Sequence, residues 1–251
     1  MTMILYFSAT GNSRYVAERI ADSVNEKAIS IEGLKPVIDL EENEMLGIVT
    51  PTYCYTIPVI VKWFLSRMKV NCTSDHYVFF VGTFGTSTGG AAAMANAIMK
   101  RKGFPIDAMF DIRMPDTWTP IFDLSDPEKV AERNRKADVE ITEVIGMISD
   151  RVKGKHMDLS FPRQAAMVGE KYYDSARRTD HLSVSDACIG CGLCAERCPA
   201  KAIQLDGKKP VWVKKKCIMC LRCLHYCPKF AIQYGKNTAR HGQYRNPHVK
   251  V

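Results

Sequence analysis

Eight of the ten cysteines in this 251-residue chain fall into two short runs, CIGCGLCAERCP at 188–199 and CIMCLRCLHYCP at 217–228. Each run has the spacing C-x2-C-x2-C-x3-C and closes on proline. A ligand at every third residue lets one turn aim three thiolates at a common core, while the fourth arrives from elsewhere. That chemistry suits a cubane iron–sulfur cluster. Zinc also takes four ligands from C-x2-C pairs, but its sites rarely run four cysteines at this pitch, finish with proline and repeat. Disulfides rank third, because they need an oxidising compartment. The opening MTMILYFSATGNS has no basic leader, and its apolar run at 3–7 is too short for a secretory core. The expected location is therefore cytoplasmic, where clustered cysteines hold metal or do redox chemistry. Gly190 and Gly192 either let backbone amides reach cluster sulfurs or simply make the turn. Cys54 and Cys72 stand outside the runs and are expected as small buried hydrophobes.

A second stretch, YFSATGNSRYVAERI at 6–20, leaves a strand, turns through hydroxylated residues and enters a helix. The hydroxyls of Ser8, Thr10 and Ser13, with the amides of Gly11 and Asn12, form a cup at the helix N-terminus. Amides, hydroxyls and the helix dipole stabilise a phosphate there without a lysine. The same residues also suit an ordinary N-capping turn, and this loop alone leaves both readings open. Two more loops, TPTYCYTIP at 50–58 and GTFGTSTGG at 82–90, set small residues beside aromatics. Their glycines do not make GxGxxG in the right place, and no lysine completes a nucleotide P-loop, which disfavours NAD and ATP.

These loops act together only if a scaffold brings them to one edge. Apolar runs at 3–7, 45–50, 77–82 and 107–113 read as buried strands, with a weaker one at 28–31. Residues 12–26, 56–69 and 90–103 have helical spacing, Pro58 suits a first turn, and a longer helix is expected over 126–153. Strands alternating with helices imply a parallel sheet covered on both faces. The segment EGLKPVIDLEENE leaves the second helix short or missing. Residues 1–153 thus form one domain. Residues 154–180 show no clean period and read as a linker. Residues 181–235 hold the cysteines as an internal repeat, CIGCGLCAERCPAKAIQL against CIMCLRCLHYCPKFAIQY. A basic, irregular tail follows at 236–251. Charge follows this division: 17 Lys and Arg face 20 Asp and Glu over 1–153, but 18 face only 7 over 154–251.

With all eight cysteines and both prolines in place, residues 181–235 resemble a two-cluster bacterial ferredoxin, a small α+β domain. The resemblance implies two [4Fe–4S] clusters with crossed ligands: Cys188, Cys191, Cys194 and Cys227 for one, Cys198, Cys217, Cys220 and Cys223 for the other. Residues 1–153 resemble a flavodoxin, since SATGNS matches that family's S/T-x-T-G-x-S/T phosphate loop. This implies an α/β fold whose five-stranded parallel sheet has the order 2-1-3-4-5, with FMN at the switch point. It carries phosphate contacts over to Ser8, Thr10, Gly11, Asn12 and Ser13. Ring contacts fall to Pro51, Thr52 and Tyr53 and to Thr83, Phe84 and Gly85. Tyr53, Tyr55 and Phe84 compete for the stacking position, and Trp118 is expected to pack at the surface near the same edge.

The two resemblances together imply a flavodoxin–ferredoxin fusion that passes electrons between two clusters and FMN. The expected role is an electron carrier or adaptor for anaerobic redox enzymes, because no residue set looks like a general acid or base poised over a substrate. The alternative is an iron–sulfur flavoenzyme that reduces a quinone, disulfide or similar acceptor at FMN. Nucleic-acid binding, prompted by KKPVWVKKKC, lacks any motif and ranks last. The expected partners are redox proteins, with no nucleic acid and no membrane, and homodimerisation stays open. Lys214, Lys215 and Lys216 are expected to steer docking.

Overall fold

The computed structural model describes residues 2–72, 76–157 and 163–249. Its first half runs β1 (Met3–Tyr6), α1 (Asn12–Ser23), β2 (Ala28–Ser30), β3 (Val37–Leu40), β4 (Met45–Pro51), α2 (Val59–Arg67) and β5 (Lys69–Cys72). It continues through β6 (Tyr77–Phe84), α3 (Ala91–Lys100), β7 (Ala108–Arg113), α4 (Pro127–Ser149) and β8 (Gly154–His156). The main sheet is wholly parallel, in the order β2-β1-β4-β6-β7-β8. Its first five members reproduce the expected 2-1-3-4-5 arrangement, and β8 adds a sixth strand from a segment read as linker. β6 is buried along its whole length, as a central parallel strand must be. Alternate residues serve opposite faces: Val78 and Phe80 pack with α2 and α3, whereas Tyr77, Phe79 and Val81 pack with α1 and α4. Asp126 caps α4 by accepting from the Glu128 and Lys129 amides, with Pro127 in the first turn. No helix lies between β2 and β4. Instead β3 pairs in parallel with β5 as a small separate ribbon.

The second half runs α5 (Arg163–Ala176), β9 (Leu182–Val184), α6 (Leu193–Glu196), β10 (Ile203–Asp206), β11 (Lys209–Trp212), α7 (Arg222–His225), β12 (Ile232–Tyr234) and α8 (Thr238–His241). β9 and β12 pair antiparallel and close the ends of the cysteine segment, and the β10–β11 hairpin joins its two repeats. Each cysteine run enters its short helix through a left-handed residue, Gly192 before α6 and Leu221 before α7. The expected linker is therefore largely structured. Its helix α5 has a clear apolar side on which Tyr173 and Ala176 pack against Met219, Tyr53 and Trp118. The tail is ordered too: Tyr244 and Asn246 are buried against the first half. Among the described residues no helix is long and apolar enough to cross a membrane.

Candidate functional site

β1 and β2 lie on one side of the sheet's reversal, and β4, β6 and β7 follow on the other, so the carboxyl ends of β1, β4, β6 and β7 open into one crevice. A cavity of about 1090 Å³, its open mouth included, occupies that crevice. Ten of the eleven expected flavin-contacting residues line it: Ser8, Thr10, Asn12 and Ser13; Pro51, Thr52 and Tyr53; Thr83, Phe84 and Gly85. Gly11 is the exception, because it lies beneath the tail, where an added Cβ would stand 2.8 Å from Asn246 Cβ. Its φ of +104° also demands glycine. Among the described residues no side chain caps α1, which argues against a mere capping turn. Gly11 N–H donates to Ser8 Oγ at 3.1 Å, and the Ser13 and Thr83 hydroxyls share a hydrogen bond of 2.8 Å. The Asn12 side chain faces other duties: its Oδ1 accepts from Tyr244 Oη and Asn246 Nδ2, and its Nδ2 donates to the Pro115 carbonyl.

Two buried hydroxyls in the cavity wall, Thr52 Oγ1 and Tyr53 Oη, have no partner among the described residues. Such atoms call for a ligand with matching polar groups, which fits a flavin. Three aromatics compete for its ring. Phe84 is buried, Tyr53 packs edge-on against Tyr173, and Tyr55 lies at the mouth, half exposed. Asp116 also lines the cavity and accepts from Thr86 Oγ1 and the Trp118 amide. Burial pushes its carboxyl above the ordinary range. It occupies the space that a Cβ on Gly85 would need. Trp118 forms part of the same wall and meets Tyr234 of β12 edge-on, so it joins the two halves rather than covering surface. Cys54 reaches the cavity as well, and burial raises its thiol to about 11. Cys72 is half-buried against the α2–α3 core.

The cysteines gather around two hollows. One is lined by Cys188, Cys191, Cys194 and Cys227, the other by Cys198, Cys217, Cys220 and Cys223. Among the described residues no three potential ligands close on a single metal ion. A four-iron core needs its thiolates set wider than one ion does. Backbone amides point at three of the sulfurs: Ala202 at Cys198, Met219 at Cys217 and Ala231 at Cys227, each at 3.2 to 3.3 Å. Such contacts stabilise negative charge on sulfur. Burial raises the Cys220 thiol to about 12 and that of Cys223 well above its usual value. Only a metal core would make thiolates of them. Met219, Cys220 and Leu221 belong to the walls of both this hollow and the crevice cavity. α5 fastens the wall: Tyr173 Oη donates to the Ile218 carbonyl, and Arg177 Nε donates to that of Cys217. Sequence reasoning missed Met219, Leu221, Tyr172 and Asp116 as cavity residues. The repeat register placed the first two beside a cysteine ligand, but nothing local placed them beside the crevice.

The lysines expected to steer docking are partly occupied within the chain. Lys216 pairs with Asp174 of α5 at 2.5 Å, and Lys214 donates to the Ala200 carbonyl at 2.6 Å.

Comparison with known proteins gives two family matches: a flavodoxin domain over residues 3–135 and a 4Fe–4S dicluster domain over residues 182–228. No curated protein matches. Among solved structures, the chain is similar to rubredoxin oxygen:oxidoreductase of the anaerobe Desulfovibrio gigas, at 14% identity over 57% of this chain and 36% of that one, TM-score 0.32. It therefore spans about a third of that protein. It is also similar to the Trp repressor binding protein of Bacillus subtilis, at 11% identity over 54% of this chain and 96% of that one, TM-score 0.32. A short-chain flavodoxin associated with a bacterial microcompartment matches at 15% identity over 57% of this chain and 97% of that one, TM-score 0.33. The first match takes in more than half of the chain, and the second covers the cysteine runs behind it. The chain belongs to the flavodoxin family, extended by a 4Fe–4S dicluster domain.

Proposed function

We propose that the chain is an electron carrier that holds two [4Fe–4S] clusters in the cysteine hollows and FMN in the crevice, and joins them in one relay. When bound, the clusters pass single electrons at low potential and the flavin holds one or two. The observation that carries this reading is the shared wall: Cys220, a ligand in one hollow, also lines the flavin cavity, with Met219 and Leu221 on either side of it. One cluster would adjoin the flavin and the other lie beyond it. Crossed ligation is supported by the two sets of four cysteines, each drawing three residues from one run and one from the other. The phosphate of FMN would sit on Ser8, Thr10 and Ser13 and the α1 amides. Its ring would lie among Pro51, Thr52, Tyr53, Thr83, Phe84 and Gly85. Redox proteins are the proposed donor and acceptor.

The cavity mouth favours a second reading. Tyr55, Ile121 and Tyr172 line it and are substantially exposed, and Asp116 supplies a carboxyl within, whose pKa burial raises. A small apolar acceptor could meet the flavin there, which would make the protein a reductase. Anaerobically purified protein should contain about eight irons, eight sulfides and one FMN per chain. Steady turnover with quinones or disulfides in the absence of any protein acceptor would establish the second reading over the first. Finding four irons, or zinc, would refute the two-cluster relay.

A further inference from the structure

The flavodoxin half does not hold its phosphate loop alone. Behind residues 8–11 stand two residues of the cluster-bearing half. Arg222, between Cys220 and Cys223, enters as a buried fork. Its Nη2 donates to the Ser8 carbonyl at 2.6 Å and its Nε to the Ala9 carbonyl at 3.4 Å. The same guanidinium binds both carboxylate oxygens of Glu32, at 2.5 and 2.8 Å, and the Arg197 carbonyl next to Cys198. From the tail, the Asn246 amide donates to the Thr10 carbonyl at 2.8 Å. Tyr244 Oη and Asn246 Nδ2 converge on Asn12 Oδ1, at 2.7 and 3.1 Å.

A planar trans peptide points its C=O and the next residue's N–H in opposite directions. Drawing the Ser8, Ala9 and Thr10 carbonyls toward Arg222 and Asn246 therefore turns the amides of Ala9, Thr10 and Gly11 the other way. Neither Arg222 nor Asn246 lines the cavity, whereas Ser8, Ala9 and Thr10 do, so the Ala9 and Thr10 amides turn toward the cup, and the Gly11 N–H turns onto Ser8 Oγ and holds that hydroxyl at the cup. Because Glu32 neutralises Arg222, the effect on the cup is one of geometry rather than net charge. The fork matters for the same reason, since a lysine offers no rigid set of donors to two carbonyls and a carboxylate at once.

We propose that Arg222 and Asn246 are positioning residues that set the cup's preference for a phosphorylated flavin over an unphosphorylated one, so that selectivity in the flavodoxin half is built by the other half. This rests on the flavin reading above. Full-length protein, stripped of flavin with its iron and sulfide counted, is titrated anaerobically with FMN and with riboflavin, and Kd is read from quenching of flavin fluorescence. Three variants accompany it: Arg222→Gln, Arg222→Lys, and a chain ending at Gln243. The parent should bind FMN far more tightly than riboflavin. In each variant the ratio of the two affinities should shrink by roughly tenfold or more, the scale of one or two lost hydrogen bonds. Riboflavin binding should hold within about twofold of the parent's, below the effect of one net hydrogen bond. The truncated chain keeps every cysteine and Arg222, so its result stands even if Arg222→Gln loses iron. A parent that binds neither flavin would sink the flavin reading itself. A parent that prefers FMN, with variants that keep the full ratio or lose both ligands equally, would overturn the positioning role alone. Full recovery in Arg222→Lys would overturn it too, by showing that charge suffices.

Discussion

The two cysteine runs solve one backbone problem with different residues. The first places Gly190 and Gly192 at φ +70° and +78°, and the second places Met219 and Leu221 at +60° and +52°. Glycine adopts that region freely, whereas a side chain there is strained. The first run has nothing to gain from side chains at these points, and a Cβ on Gly190 would come within 2.8 Å of Lys208. The second run lies against the flavin cavity, where Met219 and Leu221 supply wall. The strain is thus kept where it forms a surface. Asp116 is a similar local exception, a carboxylate held in that wall. Burial raises its folded pKa above the unfolded value, so the folded state binds the proton more readily, and stability falls as pH rises through the folded pKa. Asp116→Asn keeps an acceptor for the Trp118 amide without the buried charge. It should therefore melt higher than the parent where the carboxyl is ionised, with the gap narrowing as pH falls through the parent's raised folded pKa. Thermal unfolding followed across a pH series checks this. A gap constant with pH would mean that the carboxylate is not the cause.

Among the elements, α5 shows most clearly what the sequence conceals. Spacing in residues 3–7, 45–50 and 77–82 announced the sheet, since central parallel strands are uninterrupted apolar runs. The thiol spacing announced the hollows as plainly. GEKYYDSARR carries no comparable signal, because the apolar side of α5 rests on Tyr173 and Ala176, which pack in a small cluster with Met219, Tyr53 and Trp118 rather than in a broad core. The β8 strand, GKH, is three exposed polar residues that follow β7 by register alone. The tail was illegible for another reason: the hydrogen bonds that seat it on α1 come from Tyr244 and Asn246 to Asn12, more than 200 residues away in sequence. What α5 contributes can be weighed at Tyr173. Its buried hydroxyl accepts from the Val59 amide and donates to the Ile218 carbonyl, thereby joining α2 to the second cysteine run. Tyr173→Phe leaves both groups unpaired and should cost about 1–3 kcal/mol of stability. Chemical unfolding measures it. A loss under about 0.5 kcal/mol, the floor for a net hydrogen bond, would show that water replaces the hydroxyl.

At the scale of the whole molecule, the halves are interlocked rather than tethered. Ile218 of the second run is buried in the α2–α3 core, Arg222 reaches β1's loop, and the tail returns to α1. The cluster proposed for Cys198, Cys217, Cys220 and Cys223 would therefore stand between the proposed flavin and the cluster proposed for Cys188, Cys191, Cys194 and Cys227. That order makes the two unequal. Cys198 lies in the first run but faces the hollow of the second, where it accepts the Ala202 amide. Cys198→Ala should thus remove the inner cluster and spare the outer one, leaving about half of the iron and sulfide. Electrons entering at the outer cluster would then reach the flavin far more slowly than in the parent. Cys227→Ala should remove the outer cluster instead and leave the flavin in contact with the inner one. Metal counts and low-temperature EPR identify the surviving cluster in each variant, and stopped-flow bleaching of the flavin by a protein donor measures the relay. If Cys198→Ala abolished the signal of its own run's neighbours, Cys188, Cys191 and Cys194, while keeping the other, ligation would follow the sequence rather than the hollows. The fourth ligands, Cys198 and Cys227, would then have to be exchanged, while the cluster of Cys217, Cys220 and Cys223 would remain the inner one.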